Sequence, residues 1–278
     1  MATDRQISER FTVGIMAPAR ALEPKIAKQV LDLARRAAPG IELRVHPQCF
    51  ERHGHFAGPD SARAKAFLEL ANNPSIDAIW FARGGYGAGR LIDRVMGELG
   101  EAAQAKAYLG YSDTGALLGA LYKAGIGRIL HGPMPADILR TGGEAAVTRA
   151  LAVLCGQVEP TPFPDDAPVA AFNLTVLTSL CGTRYMPDLT GHVLHLEDIG
   201  EYEYRIDRAF FTLASADWFP RLAGLRLGRF SDVPENDIDF AMTAHEIARF
   251  WAAKAGVPVL GESPIGHDAD NQVVAFGS

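Results

Sequence analysis

Along the first half of the chain, short apolar runs alternate with longer stretches in which apolar residues recur at three- and four-residue spacing. That is the rhythm of βαβ units around a parallel sheet. Strands are expected at Thr12–Ala17, Ile41–His46, Ala78–Ala82, Ala105–Leu109 and Arg128–His131. Amphipathic helices are expected near Leu22–Ala38, Ser61–Ala71, Gly89–Leu99, Thr114–Ala124 and Glu144–Cys155. Between Glu159 and Pro168 four prolines in ten positions prevent helix continuation and favour extended chain. This marks 158–170 as a linker between an N-terminal α/β domain, 1–157, and a C-terminal domain, 171–278. In the second part, strands are expected at His192–Glu197, Leu222–Leu227 and Pro258–Gly261, and helices at Arg205–Ser215 and Ile238–Ala255.

A chain of 278 residues has room for two such domains. With 48% hydrophobic and 22% charged residues it has a globular composition, which excludes disorder and long charged coils. A net charge of −6 excludes a nucleic-acid binder that works through clustered Lys and Arg, so any anionic ligand needs local cations. Cys49, Cys155 and Cys181 are odd in number and far apart, which fits neither a disulfide scaffold nor a thiolate zinc site and favours a reducing compartment. The polar start Met1–Gln6 leads into an apolar run of only about seven residues from Phe11, too short for a signal-peptide core or a membrane span. The expected location is cytoplasmic, away from the membrane.

The candidate chemistry gathers at strand-to-helix turns. Tyr108-Leu109-Gly110-Tyr111-Ser112-Asp113-Thr114 runs from an apolar strand through a glycine and a serine into a helix. Such a turn lifts a hydroxyl to the carboxyl edge of a sheet beside free helix amides, as in a nucleophile elbow. Equally, Ser112 or Asp113 can simply cap the helix, and Thr114 stands where the second glycine of G-x-S-x-G belongs. The cluster Arg83-Gly84-Gly85-Tyr86-Gly87-Ala88-Gly89-Arg90 also follows a strand but fits neither the dinucleotide fingerprint nor a phosphate loop. It can lie beside Ser112 and offer an amide to an oxyanion, or be a tight turn that needs glycine. Among eight histidines, His46, His53 and His55 read as a solvated loop rather than a metal site. His267, in a loop after a strand, reads as a base presented to a cleft or as a lone surface histidine. Glu197 is the acid candidate, with Asp198, Glu201 and Glu203 as neighbours that spacing alone does not exclude.

With these residues in place, the chain resembles the muropeptide LD-carboxypeptidase family of serine peptidases, which includes the microcin C self-immunity hydrolases. The resemblance rests on Met16-Ala17-Pro18, Arg83-Gly84-Gly85-Tyr86-Gly87, Gly110-Tyr111-Ser112-Asp113, His131-Gly132-Pro133-Met134, Leu196-Glu197-Asp198-Ile199-Gly200-Glu201 with Tyr204-Arg205-Ile206-Asp207-Arg208, and Gly266-His267 with Asn271. It implies a Rossmann-like N-terminal domain with a parallel sheet, a smaller β-rich C-terminal domain and a cleft between them. It also implies a Ser112, Glu197, His267 triad, an oxyanion hole from the amides of Gly85 and Asp113, and a homodimer. Two departures stand out: Ala171-Phe172-Asn173-Leu174 replaces a Gly-Gly-Asn-Leu stretch, and the chain ends at Gly277-Ser278 where many relatives continue with a final strand or helix.

The function so implied is a carboxypeptidase that releases the terminal D-alanine of a cell-wall tetrapeptide through an acyl-enzyme, in peptidoglycan recycling. It calls for no metal and no organic cofactor. Recognition of the free carboxylate requires guanidinium groups or helix-end amides, with Arg83 or Arg90 as a candidate unless either forms a surface salt bridge, and Arg83 and Tyr86 are expected to bind substrate. One rival is hydrolysis of a nucleotide-peptide antibiotic by the same triad, for which an aromatic loop to stack adenine is missing, since Trp80, Trp218 and Trp251 sit in apolar patterns. The other is a non-catalytic module that binds a small anion.

Overall fold

The computed structural model describes residues 11–277; residues 1–10, with the polar start Met1–Gln6, and Ser278 lie outside the described residues. The first part runs β1 (Phe11–Met16), α1 (Pro24–Ala37), β2 (Ile41–Val45), α2 (Asp60–Ala71), β3 (Ala78–Phe81), α3 (Ile92–Val95), α4 (Glu101–Gln104), β4 (Ala107–Gly110), α5 (Gly115–Lys123), β5 (Arg128–His131) and α6 (Gly143–Leu154). The second runs β6 (Val169–Asn173), α7 (Leu174–Leu180), β7 (Val193–Ile199), α8 (Glu203–Ala214), β8 (Gly224–Ser231), α9 (Ala244–Ala255), β9 (Val259–Glu262) and β10 (Val274–Ala275).

Two sheets result. The first has the order β10-β5-β4-β3-β1-β2, parallel throughout except for β10, which runs antiparallel to β5. The second, β6-β7-β8-β9, is all parallel. Strands covered on both faces need apolar residues on both, and β3, Ala78-Ile79-Trp80-Phe81, is buried at every position. Val13, Ile15, Trp80 and Leu109 pack against Ile26, Val30 and Leu33 of α1 and Val147 and Leu151 of α6. Met16, Ile79, Phe81 and Tyr108 face the other way, onto Phe67 and Leu70 of α2 and Leu117 and Leu121 of α5. That second core continues without a break into Phe172, Leu194, Leu196 and Leu225 of the second sheet and Phe210 of α8. Each such buried side chain contributes about 1.5–3 kcal/mol, and because the layer is shared, the two sheets are held in fixed relation across the cleft. The last residues reinforce this: β10 pairs with β5, and the Gly277 amide donates to the Val169 carbonyl of β6 at 2.8 Å.

The structure differs from the sequence expectations at several elements, and the short α4 is one that was not expected. The helix expected over Gly89–Leu99 is a 3-10 turn at Ala88–Leu91, α3 and a second 3-10 turn at Met96–Glu98; Gly89 and Gly97 weaken continuous helix there. The helix expected from Ile238 begins at Ala244, because Thr243 and Glu246 form a reciprocal cap, the Thr243 amide donating to the Glu246 carboxylate at 2.8 Å. Upstream, Asp237 and Asp239 accept the amides of Ile238 and Ala241 at 3.0 and 2.9 Å, a local alternative to helix, and Ile238 is 79% exposed. β6 starts at Val169, inside the stretch expected as linker, and runs straight into α7, which has no counterpart in the expectations. A short final strand, β10, follows the His267 loop. No helix among the described residues is long and apolar enough to cross a membrane.

Candidate active site

The loops that leave the carboxyl ends of β1, β3, β4 and β5 converge on one cavity of about 420 Å³, lined among others by Arg20, Arg83, Gly84, Gly85, Ser112, Asp137, Arg140, Ile199 and His267. Open parallel sheets bind ligands at this edge. Directly after β4, Ser112 has φ 58, in the left-handed region that a residue with a side chain rarely occupies. Its hydroxyl stands against the glycine loop: a methyl group added at Gly84 would lie 3.0 Å from Ser112 Oγ. The turn tolerates Thr114 because Gly110 has no side chain. A Cβ at Gly110 would meet Thr114 Oγ1 at 2.5 Å, and that hydroxyl turns back to donate to the Tyr111 carbonyl at 2.8 Å.

The glycine loop is held from two sides. Gly85 has φ 120, a conformation open to glycine, and the stem of Arg20 covers the place where its side chain would be. The Ala88 amide donates to Asp113 Oδ2 at 2.8 Å. From below, the fully buried Arg63 donates to the Gly87 carbonyl at 3.0 Å and also bonds the Pro18 carbonyl and Asp60. Burial raises the Asp113 carboxyl above its ordinary range, and the Ala88 and Gly87 amides counter that.

His267 and Glu197 come from the second part of the chain. His267 Nδ1 lies 2.6 Å from Glu197 Oε2. A carboxylate can only accept, so Nδ1 is the donor in this contact and Nε2 is the ring nitrogen not engaged by Glu197. Glu197 is completely buried, and among the described residues its Oε1 has no hydrogen-bond partner, so the imidazole is the group this carboxylate serves. The pairing of β7 with β8 shifts register between Leu196 and Asp198, with the extra residue on β8 opposite Glu197. Asp198 is taken by Asn173 Nδ2 at 2.7 Å, the Thr175 amide and hydroxyl at 3.0 and 2.8 Å, and the Ile199 amide at 2.8 Å. Burial, and then the charge of Glu197, push its carboxyl up to about 6. Asn173, from the departing Ala171–Leu174 stretch, thus caps α7 and anchors Asp198.

The loop of His267 is fixed by Arg149, which donates to the Asn271 carbonyl at 2.8 Å, and by Asn271 Oδ1, which accepts the Gly266 amide at 3.3 Å. The Tyr111 ring packs on the imidazole with centroids 4.7 Å apart, and its hydroxyl donates to Asp137 Oδ1 at 2.8 Å. The arrangement offers a hydroxyl on a strained turn, a carboxylate-held imidazole and backbone amides in one cavity. That is equipment for acyl transfer.

The remaining expected residues are dispersed. Arg83 lines the cavity. Tyr86 is 60% exposed and packs beside His55 and Phe56, with centroids 6.3 and 6.2 Å apart. Arg90 is paired with Asp60 at 2.8 Å. His46 accepts the Gln48 amide at 3.1 Å and lies 2.9 Å from Glu69. Glu201 faces Arg205 at 3.4 Å and Glu203 accepts from Asn236 at 2.5 Å. Trp80 is buried and donates to the Pro133 carbonyl at 2.8 Å; Trp218 and Trp251 are partly buried. Sequence reasoning missed Arg20, Tyr111, Asp137 and Arg140. Arg20 had one usable signal, its position just past Met16-Ala17-Pro18 at the carboxyl end of β1.

Known proteins resemble this chain along most of its length. The LD-carboxypeptidase N-terminal domain matches residues 13–132 and the LD-carboxypeptidase C-terminal domain matches residues 167–278. A Synechocystis sp. protein, whose name assigns it a carboxypeptidase activity provisionally, is 32% identical over 86% of this chain and 80% of its own length. The murein tetrapeptide carboxypeptidase of Pseudomonas aeruginosa is 28% identical over 95% of this chain and 91% of its own. The crystal structure of muramoyltetrapeptide carboxypeptidase from Oxalobacter formigenes superimposes with a TM-score of 0.79 at 25% identity, covering 95% of this chain and 93% of that one. The fold is shared with the microcin C7 self-immunity protein MccF, TM-score 0.78 at 18% identity over 98% of this chain and 97% of that one. With both domains matched in order and a relative above 30% identity over most of its length, the chain belongs to the LD-carboxypeptidase family of serine-type peptidases.

Proposed function

We propose that this protein is an L,D-carboxypeptidase that removes the terminal D-alanine from cell-wall tetrapeptides, with Ser112 as nucleophile, His267 as base and Glu197 as the group that orients it. The observation that carries this reading is the 2.6 Å contact between Glu197 and His267 Nδ1 at the wall of the cavity that presents Ser112. His267 Nε2 takes the Ser112 proton as Oγ attacks the carbonyl of the penultimate residue. The amides of Gly85 and Asp113 stabilise the resulting oxyanion. His267 then gives the proton to the departing amine, D-alanine leaves, and an ester to Ser112 remains. Water, deprotonated by the same imidazole, hydrolyses that ester and regenerates the hydroxyl. Every proton and electron pair is accounted for by these three side chains, so the cycle needs no metal or organic cofactor.

Substrate assignment is supported by the names of the Pseudomonas and Oxalobacter relatives, and the tripeptide product suits reuse of murein fragments inside the cell. The deciding experiment is chromatographic measurement of D-alanine release from purified murein tetrapeptide, free and linked to its disaccharide. Release of D-alanine with accumulation of tripeptide is expected. Absence of release from both forms rejects the assignment.

A further inference from the structure

Three guanidinium groups line the cavity that holds Ser112 and His267: Arg20, Arg83 and Arg140. Asp137 is the carboxylate in that lining, and it is fully engaged. It accepts the Tyr111 hydroxyl at 2.8 Å, the Met134 amide at 2.7 Å and Arg140 Nε at 2.9 Å. Arg140 is therefore neutralised, while Arg20 and Arg83 are not. Among the described residues no carboxylate lies within ion-pair distance of either. Arg83 makes one bond, to the Ala21 carbonyl at 3.3 Å, beyond the usual length for a strong N–H···O bond. Glu23 and Asp137, whose charges reach Arg83, are themselves paired, with Lys25 at 3.0 Å and with Arg140 at 2.9 Å. Burial, and then the like charge of Arg20, disfavour the charged form of Arg83. Two like charges left together without a counter-ion are offset when an anion arrives between them.

Their place in the fold is specific. Arg20 follows β1 and Arg83 follows β3. These strands are neighbours, and the chain goes to β2 on one side of β1 and returns as β3 on the other. That is the switch point at which an open sheet forms its ligand crevice. Arg83 is two residues before Gly85, and the Arg20 stem lies on Gly85 itself.

Resting on the serine-peptidase reading above, we propose that Arg20 and Arg83 together form the receptor for the C-terminal carboxylate of the residue that is released. A single leaving residue places its carboxylate about one residue length, roughly 3.5 Å, beyond the scissile carbonyl, within reach of cations beside the Gly85 amide. An internal peptide bond offers a neutral amide at that point, which leaves the two charges unbalanced. The pair thereby restricts cleavage to the last bond of the chain.

The test compares the tetrapeptide acid with the same peptide carrying a C-terminal amide, using wild type, Arg20→Gln, Arg83→Gln, the double variant and Arg20→Lys. Wild type prefers the acid. Each Gln variant loses about 10- to 100-fold in kcat/KM on the acid, the range for a charge-assisted bond, with the loss in KM and little change on the amide. The double variant no longer distinguishes acid from amide, and Arg20→Lys recovers part of the preference. Thermal unfolding of each variant establishes that it is folded. A second arm needs no turnover: ligand-observed NMR with N-acetyl-D-alanine and its amide. Binding of the acid alone, lost in the double variant, is expected. If the double variant keeps the acid preference, or still binds N-acetyl-D-alanine as wild type does, the receptor assignment is overturned while the peptidase reading stands. If wild type cleaves no tetrapeptide but the NMR pattern holds, the peptidase reading falls and the carboxylate site survives.

Discussion

The Asp113 carboxylate accepts the Ala88 amide at 2.8 Å, so the residue that follows Ser112 also holds the loop that carries Gly85. The two amides assigned to the oxyanion hole are thereby joined through one side chain, and Arg63 steadies the same loop through the Gly87 carbonyl at 3.0 Å. Spacing between donors matters because an oxyanion hole works only when both point at the position the charged oxygen will occupy. Asp113→Ala should lower kcat about 10²–10³-fold, the cost of a lost oxyanion donor, with KM little changed. Asp113→Asn, which keeps an acceptor for Ala88, should fall between. Steady-state kinetics on tetrapeptide decides it: an unaltered kcat in Asp113→Ala means the loop holds its shape without this bond.

Ser112 is held at φ 58, which costs an L-residue about 1–2 kcal/mol and glycine almost nothing. Removing the hydroxyl should abolish turnover in both Ser112→Ala and Ser112→Gly, by about a million-fold as for a lost serine nucleophile. The two should differ in stability. Ser112→Gly should be more stable than Ser112→Ala by about 1 kcal/mol, measured by urea denaturation. Equal stability would show that the turn is unstrained. Retention of more than about a tenth of the activity in either variant, far too much for a lost nucleophile, would reduce Ser112 to a helix-start residue.

Four acids cluster at 197, 198, 201 and 203, and their bonds separate them. Glu197 serves His267, Asp198 is consumed by Asn173, Thr175 and Ile199, Glu201 faces Arg205, and Glu203 takes Asn236. Glu197→Gln should keep the fold and lower kcat by about 10⁴-fold, since an amide neither fixes the proton on Nδ1 nor stabilises the imidazolium. Glu201→Gln and Glu203→Gln should retain turnover close to wild type. A reversed ranking would move the orienting acid to another position.

The Ser112 turn and the Gly84-Gly85 loop were legible because their signals are local: an apolar strand, a glycine, a serine and then a helical pattern. The positions of the first five strands along the chain, though not their order in the sheet, were legible for the same reason, since continuous apolar runs such as Ala78–Phe81 fit a sheet covered on both faces. The link from Glu197 to His267 spans 70 residues, and no local pattern encodes it; it came from resemblance. α7 was missed because Leu174–Leu180 is short and rich in β-branched residues, and its start is set by the Asn173 cap and by Asp198 on another strand. Arg20 and Asp137 were missed for a related reason. Their importance comes from which charges they leave paired or unpaired in space.

Acid stability should be governed by two histidines outside the proposed chemistry. His131 is pushed down to about 3 by burial, with a smaller contribution from His267. His195 is pushed down to about 3 by burial and then by Arg226. Each has a buried Nε2 without a partner among the described residues. For a base whose folded value is depressed, the unfolded chain binds more protons between about pH 6.5 and 3, so stability falls as pH drops through that window. At pH 4.5 the loss amounts to about 3 kcal/mol for each histidine. Asp198 acts in the opposite sense: its carboxyl is raised to about 6 by burial and then by Glu197, so the folded protein binds the extra proton and gains stability on acidification. That gain is about 2 kcal/mol between pH 7 and 4.5, smaller than the combined histidine loss. Urea denaturation across this range should therefore show net destabilisation toward acid, with a shallower slope in His131→Gln and in His195→Gln, and the steepest retained slope in wild type. A wild-type stability that is flat from pH 7 to 4.5, or slopes unchanged in both variants, would show that these imidazoles are reached by water and protonate in the folded state.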